Sequence, residues 1–445
     1  MFKKIFYILR YNIIFYNNVS PYSCKLNDKN NMINKKKSLS IWLQYLEQSN
    51  KKLINLFELK YIAKKLNILN LKTFIFTVAG TNGKGTTCAM LERLLLNTGY
   101  KVGLYTSPHL ISYLERVRIN GNILTAEEHV SSFEQVEFER KKICLTYFEF
   151  ITLSALILFK RYTLDILILE VGVGGRLDAT NIIDSNLSII TNIGIDHTNI
   201  LGKDRSSIAY EKSGVFRKNR ISVIGEKNIP ESMYRVAEEK KTILKKINID
   251  WFFKKNTYSW DFIHTDVQLY HLPITQIPIC NTAIALAALY YTKFKISEKN
   301  IRKSISTVSV PGRFQIFSHS PDIILDVAHN PHASSYLSKK LDEISLKGQI
   351  HAIVGIFQDK DISGVIFPLQ KKVHYWYASP IDNTRTANIN QLKNTFPKKN
   401  TFFSNNVHDS YKKLCKLVKK EDIILVFGSF LTVSEFISLK DMEKT

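Results

Sequence analysis

The chain has 445 residues, 45% of them hydrophobic, and carries 62 Lys and Arg against 39 Asp and Glu for a net charge of +23. At roughly 100–200 residues per domain this predicts two or three domains with real cores and excludes a mainly disordered chain. The longest apolar run, residues 150–159, closes at Lys160 and Arg161, short of the ~20 residues a bilayer crossing needs, so no membrane partner is expected. Five scattered cysteines show no C-x-x-C pair and no Cys/His ligand spacing, which argues against a disulfide scaffold or zinc finger and for reduced thiols in a cytoplasmic setting.

Residues 1–31 surround the apolar stretch IFYILRYNIIFY with basic residues, but Arg10 and Asn12 interrupt it and no small-residue cleavage site follows. The segment reads as an upstream extension or disordered tail, with translation expected to start at Met32. From Ile41 to Leu69 apolar residues recur at helical spacing. A β-rich run, Thr73 to Gly80, then leads through a glycine loop into a helical stretch, Thr86 to Asn97. Strand, loop and helix in that order open an α/β nucleotide-binding domain. Further apolar runs at 165–175, 187–194, 323–331, 350–357 and 424–430 predict parallel strands buried on both faces.

The expected fold is therefore α/β: a P-loop ATPase domain with a mostly parallel sheet over residues 32–310, and a smaller, Rossmann-like α/β domain over residues 311–445 that begins at the Pro311-Gly312 turn. Four of the runs end in polar residues: Thr81-Asn82, Glu170, Asp196-His197, and Asp326 with His329. Ligands of open α/β sheets sit beyond the carboxyl ends of strands, so these four ends predict one site.

The first constellation is Gly80, Thr81, Asn82, Gly83, Lys84, Gly85 and Thr86. Glycines let backbone amides approach phosphate oxygens, Lys84 supplies a point charge, and the helix that follows offers its N-terminal N–H groups. The strict G-x-x-x-x-G-K-[ST] pattern is broken, because Val78 takes the first glycine position and Gly85 follows the lysine. Glu170, before Gly172, Gly174, Gly175, Arg176 and Asp178, suits Mg²⁺ beside a phosphate, or else forms an ion pair with Arg176. His197 and Lys212 carry no pattern that selects them by themselves. Arg313 and Asp326 would be natural contributions from a closing lobe to phosphates and a ribose, and Asn281 either joins the site or caps the helical run after it.

In order along the chain, GTNGKGT, YTSPHL, LTYFEF, LEVGVGGRLDATN, DHT, EKSGVF, PGRFQ and DVAHNP resemble the bifunctional dihydrofolate synthase/folylpolyglutamate synthase family of the Mur ligase superfamily, over roughly residues 40–437. The resemblance implies an ATP- and Mg²⁺-dependent ligase, with two metal ions expected, that couples L-glutamate to dihydropteroate and to reduced folates. A pteroate or folate carboxylate attacks the γ-phosphate, and the acyl phosphate is captured by the amine of glutamate. It further implies Ser107, Glu170, His197 and Lys212 as metal ligands, Lys212 as a carbamate. Carbamylation needs a neutral amine, so Lys212 is expected to be buried with a lowered pKa. By the same resemblance Lys84, Glu170, His197 and Lys212 are the catalytic set, and the loop from Gly80 to Thr86 with Asn281, Arg313, Asp326 and His329 holds ATP. Thr146, Tyr147, Phe148, Glu149, Leu177 and Asn55 fall at pterin-site positions. Asn55 and Phe57 depart from the Asp and Gly of the family's I-D-L-G-L segment, and Asn199 replaces an Asp after His197.

Two rival readings make demands that the sequence does not meet. A cell-wall ligase of the same superfamily would need a nucleotide-sugar-binding domain before the ATP loop, and the segment between Met32 and Gly80 is too short for one. A basic nucleic-acid-binding P-loop protein would gather its Lys and Arg into a patch. Here they are spread along a sequence that over-uses Lys, Asn and Ile, so no nucleic-acid partner is expected. The enzyme is expected to be a monomer.

Overall fold

The computed structural model describes residues 38–48 and 56–442, and these fall into two compact units. The segment 1–31 and Asn55 lie outside the described residues.

The first unit comprises the described residues up to Ile68 together with Ala126–Ile157. It holds the helices Leu39–Glu47, Leu56–Lys65 and Ala126–Arg140 and most of Tyr147–Lys160. Trp42 and Leu46, four residues apart, share one face of the first helix and are both buried. The Trp42 ring meets Phe133 edge-on at 5.8 Å and Phe150 at 6.1 Å, and the two phenylalanines meet at 5.5 Å. Replacing Trp42 by Ala would open a cavity at a cost of about 3–5 kcal/mol.

The second unit comprises Leu69–Thr125 and the chain from Leu158 onward. Its larger sheet has eight strands: β1 Phe74–Ala79, β2 Val102–Tyr105, β3 Val117–Ile119, β4 Asn122–Ile123, β5 Ile166–Glu170, β6 Leu187–Ile190, β7 Ile221–Ile224 and β8 Ile243–Lys246. Their order is β4-β3-β2-β5-β1-β6-β7-β8. The six strands from β2 to β8 in this order are parallel, and β3 and β4 form an antiparallel edge. β2, β5 and β6 are buried at every position, as the continuous apolar runs predict for a sheet covered on both faces. Val78 pairs with Glu170 and Ala79 with Ile190, which brings the carboxyl ends of β5, β1 and β6 side by side. The helix Ile279–Tyr290 packs on Lys84–Leu96 and is buried throughout Asn281–Leu289. Its alanines let the two backbones approach, and a helix apolar all round belongs in a core.

An antiparallel three-stranded sheet, β9 Trp251–Lys255, β10 Ser259–His264 and β11 Val267–Pro273, was not foreseen from sequence. Buried Trp251 and Trp260 anchor it to the core of the large sheet. The remaining strands, β12 Gln315–Ser318, β13 Asp322–Asp326, β14 Ile350–Val354, β15 Tyr375–Ala378, β16 Thr401–Phe403 and β17 Ile423–Phe427, form a six-stranded sheet in the order β12-β13-β17-β14-β15-β16. Only β12 is antiparallel. The expected α/β class, with mostly parallel sheets, is what the chain forms. Among the described residues no helix is long and apolar enough to cross a membrane.

Candidate active site

The loop after β1 is built so that only glycine fits at two places. Gly80 has φ +150, and a Cβ there would lie 1.8 Å from Thr191 Oγ1; Gly83 has φ +81, and its Cβ would lie 2.6 Å from Asn281 Oδ1. The segment after β6 then pins the loop. Thr81 N–H donates to Asn192 O at 3.1 Å, Asn82 N–H donates to Asn192 Oδ1 at 3.0 Å, and Thr191 Oγ1 donates to Asn82 O at 2.6 Å. Lys84 Nζ folds back to donate to Gly80 O at 3.0 Å and Thr81 O at 3.3 Å. Burial lowers its pKa, and the charges of Glu170 and Asp196 oppose that shift. The helix Lys84–Leu96 has Gly83 as its N-cap and no side-chain cap, which suits an anion at its N-terminus.

Glu170 ends β5 and is 4% exposed. Ser107 N–H donates to Glu170 Oε2 at 3.0 Å, and a Cβ on Gly85 would lie 3.5 Å from both carboxylate oxygens. Burial raises the Glu170 pKa, with Lys84 the main opposing charge. The alternative ion pair with Arg176 does not form. The Arg176 guanidinium lies 3.8 Å from the Tyr210 ring centroid, and its Nε lies 3.8 Å from Glu211. Asp178 organises the glycine loop instead, accepting from Val173 N–H and from the N–H and hydroxyl of Thr180. A buried carboxylate facing a phosphate loop fits a hard divalent cation. Among the described residues no three His, Cys, Asp or Glu side chains converge as a metal cluster.

His197, after β6, has a left-handed backbone (φ 52), and its N–H donates to its neighbour Asp196 Oδ1 at 2.8 Å. Loss of solvent around the ring, with the cations Lys360 and Lys84 nearby, pulls His197 to about 4 against the opposing charge of Asp196. The lowered pKa favours the neutral imidazole at pH 7, the form that can ligate a metal. Lys212 ends the helix Arg205–Lys212 and is only 2% exposed. Burial, helped by Lys84, lowers its pKa to about 7.

The six-stranded sheet turns its own strand ends toward these groups. Asp326 accepts from Phe314 N–H and Ala328 N–H, both at 2.8 Å, and Arg313 lies over the Phe430 ring at 5.1 Å. Burial lowers the Arg313 pKa, opposed by the carboxylates of Asp326 and Glu170. His329 Nε2 lies 3.6 Å from Asp196 Oδ2. Asn330 and Asn82 exchange two amide hydrogen bonds, at 2.9 and 3.1 Å, and Lys360 Nζ reaches Asp196 Oδ1 at 2.6 Å.

Asn281 is no N-cap. Pro278 caps that helix, and Asn281, inside it, donates to Thr86 Oγ1 at 2.8 Å. Thr146 and Glu149 lie in the other unit, where they cap the helix Tyr147–Lys160: Glu149 Oε2 accepts from Thr146 N–H, and Thr146 Oγ1 accepts from Glu149 N–H. Tyr147 and Phe148 are half-buried on its first turn, Leu177 is 63% exposed, and Phe57 is 81% exposed. Sequence reading missed Asn192, Asn330 and Lys360 as site residues and named Asp196 without a role. Lys360 was findable, because it follows the apolar run of β14 as the other polar groups follow theirs.

The chain matches the Mur ligase middle domain over residues 78–317 and the Mur ligase glutamate ligase domain over residues 312–430. It is 65% identical over 410 residues to the dihydrofolate synthase/folylpolyglutamate synthase of Buchnera aphidicola subsp. Acyrthosiphon pisum (strain APS), covering 92% of this chain and 100% of that one. The structure of E. coli FolC in complex with DHPP and ADP superposes with a TM-score of 0.89 at 42% identity, covering 92% of this chain and 99% of that one. A bifunctional folylpolyglutamate synthase/dihydrofolate synthase with Mn, AMPPNP and L-glutamate bound superposes with a TM-score of 0.87 at 44% identity, covering 91% and 98%. With both domain models and a full-length relative in agreement, this chain belongs to the dihydrofolate synthase/folylpolyglutamate synthase family of the Mur ligases.

Proposed function

We propose that the chain is an ATP-dependent ligase that adds L-glutamate to dihydropteroate, giving dihydrofolate, and to reduced folates, giving folylpolyglutamates. The observation that carries this reading is the placement of buried Glu170 at the strand end beside the glycine loop and Lys84, with Arg313 electrostatically coupled to Glu170 from the six-stranded sheet. Relatives crystallised with DHPP, ADP, AMPPNP and L-glutamate support the substrates.

The chemistry follows from a poor leaving group. A carboxylate oxygen of the pteroate or folate attacks the γ-phosphorus of ATP, the bond to the β-phosphate oxygen breaks, and ADP departs. The glutamate amine then attacks the acyl carbon, phosphate leaves and the amine loses a proton. Lys84, the loop amides from Gly80 to Thr86 and Arg313 stabilise charge on the transferred phosphoryl group, where preorganised donors contribute most. Asn281, Asp326 and His329 complete the ATP site. Ser107, Glu170, His197 and a carbamate on Lys212 would hold two Mg²⁺ ions, which supply positive charge to the phosphates. By the family resemblance Thr146, Tyr147, Phe148, Glu149, Leu177 and Asn55 are the expected pterin-binding positions.

The working division is residues 32–310 and 311–445, in a monomer of the reducing cytoplasm, a setting that suits the free thiols of Cys88, Cys280 and Cys415. Incubating the protein with ATP, Mg²⁺, glutamate and either dihydropteroate or a reduced folate, with products identified by mass, tests the reading. Neither acceptor gaining a glutamate would overturn it.

A further inference from the structure

Asp196 binds no group in the scheme above, yet its carboxylate accepts three hydrogen bonds. It meets three residues carried by the six-stranded sheet: Lys360 Nζ at 2.6 Å from its Oδ1, Asn330 Nδ2, which donates to its Oδ2 at 3.0 Å, and His329 Nε2 at 3.6 Å from the same oxygen. The Lys360 and Asp196 side chains are 7% and 8% exposed, so the pair is desolvated on both sides. Its Oδ1 also accepts the N–H of His197, the residue that enters a four-residue helix with a left-handed backbone. Asn330 does three things at once. It caps the helix Pro331–Asp342 through Ala333 N–H at 2.9 Å, exchanges two hydrogen bonds with Asn82 of the phosphate loop, and reaches Asp196.

We propose that Lys360 and Asn330 are positioning residues that clamp the phosphate loop through Asn82 and the His197 segment through Asp196, so that the six-stranded sheet completes the site by fixing ligand geometry as well as by contributing ATP contacts. The proposal rests on the ligase reading. The physical basis is that a ligand's orientation is set by the groups behind it, and removing such a partner typically costs about 10–100-fold in metal affinity or activity. A desolvated ion pair whose cation is removed leaves a buried carboxylate free to re-aim toward the metal site, which displaces His197 with it.

Two substitutions separate this role from folding. Lys360→Met removes the cation and keeps the stem, and Asn330→Ser keeps a good helix cap while losing both amide exchanges. In glutamate transfer each variant should lose about 10–100-fold in kcat, with KM for glutamate changed less than about threefold, and Lys360→Arg should recover most of it. Mn²⁺ titrated in the presence of ADP and followed by electron paramagnetic resonance should bind more weakly to Lys360→Met by a comparable factor. Because both residues act on Asp196, the double variant should be less than additive. Wild-type kcat and Mn²⁺ affinity in Lys360→Met would overturn the clamp, as would a rise confined to KM for glutamate, which would make Lys360 a substrate contact. Wild-type protein that transfers no glutamate defeats the ligase reading, whereas active wild type with indifferent variants defeats only the clamp.

Discussion

Asn281 and Thr86 are joined at 2.8 Å across two packed helices, 195 residues apart in the chain and fully out of solvent. Thr86 passes the hydrogen bond on to Gly83 O at 3.0 Å, and Gly83 is the glycine whose missing side chain makes room for Asn281. The phosphate loop is thus shaped from below by a residue remote in sequence. Asn281→Ala should lower the unfolding free energy by about 1–3 kcal/mol, the cost of a lost buried hydrogen bond. It should also raise KM for ATP, because the loop loses its floor. Urea unfolding and initial rates at varied ATP check both; a destabilised variant with unchanged KM would make the contact purely structural.

Glu170 should trade stability for activity. Its carboxylate is desolvated, and burial pushes its pKa up, so without ligands the charged form is an unfavourable guest. Glu170→Gln keeps the shape and removes the charge. The ligand-free variant should therefore melt at or above the wild-type temperature while turnover falls at least about a hundredfold, as expected when a strained site residue is neutralised. Retained turnover would remove Glu170 from the chemistry.

Thr146→Ala should cost about 1 kcal/mol of stability by removing the N-cap of the helix Tyr147–Lys160, while Thr146→Ser should cost little because its hydroxyl caps equally well. If pterin affinity falls in Thr146→Ala but holds in Thr146→Ser, the hydroxyl matters to both cap and ligand. If affinity is unchanged in both, Thr146 serves the helix alone. Binding of dihydropteroate by calorimetry, alongside thermal melts, distinguishes the two.

That same segment shows a limit on what the sequence made legible. From sequence Thr146-x-x-Glu149 stands only as pterin-site positions by resemblance, and its hydrogen bonds show it to be a capping box that starts the helix Tyr147–Lys160. Apolar runs announced the strands at Phe74–Ala79, Ile166–Glu170 and Asp322–Asp326, because strands buried on both faces have no polar alternation to confuse the pattern. The β9 to β11 meander was missed because its faces are mixed, with Trp260, Phe262 and His264 buried between half-buried neighbours. Asn192 and Asn330 were missed for a different reason: each acts on a residue more than a hundred positions away, and no local spacing encodes such a contact, whereas the place of Lys360 after an apolar run marked it without revealing its partner Asp196.

His351 makes a pH prediction. It is 2% exposed on β14, stacked on Tyr375 at 4.9 Å with its Nε2 3.5 Å from Asp422 Oδ2. Burial lowers its pKa below the ordinary 6.5, Asp422 opposing and His374 assisting. The unfolded chain therefore takes up this proton at higher pH than the folded one. The sign is a loss of stability as pH falls below about 6.5, at no more than ~1.4 kcal/mol per pH unit for one proton, ending once the folded-state pKa is passed. Asp422, whose pKa is lowered by hydrogen bonds from Gln349 and Lys419 that outweigh its burial, contributes only at more acid pH, below 3.8. Urea midpoints between pH 7 and pH 5 should fall less steeply in His351→Phe than in the wild type, and parallel curves would refute the assignment.

Lys212 carries the most specific chemical prediction. A lysine that is 2% exposed, with Lys84 adding repulsion, has its pKa lowered to about 7 by burial, so near neutral pH much of it is a free amine. A neutral amine attacks CO₂, forms a carbon–nitrogen bond and sheds one proton, which turns a cation into an anionic oxygen donor. That donor would join the buried carboxylate of Glu170 and the imidazole of His197 in the proposed cation site. Protein equilibrated with ¹³C-bicarbonate should show a carbamate resonance that vanishes in Lys212→Ala. Turnover of Lys212→Ala should be lost and partly restored by short-chain carboxylic acids that fill the cavity with a replacement carboxylate. A variant that turns over normally without such additives would show that the amine at this position is a packing group and that the metal site is completed by something else.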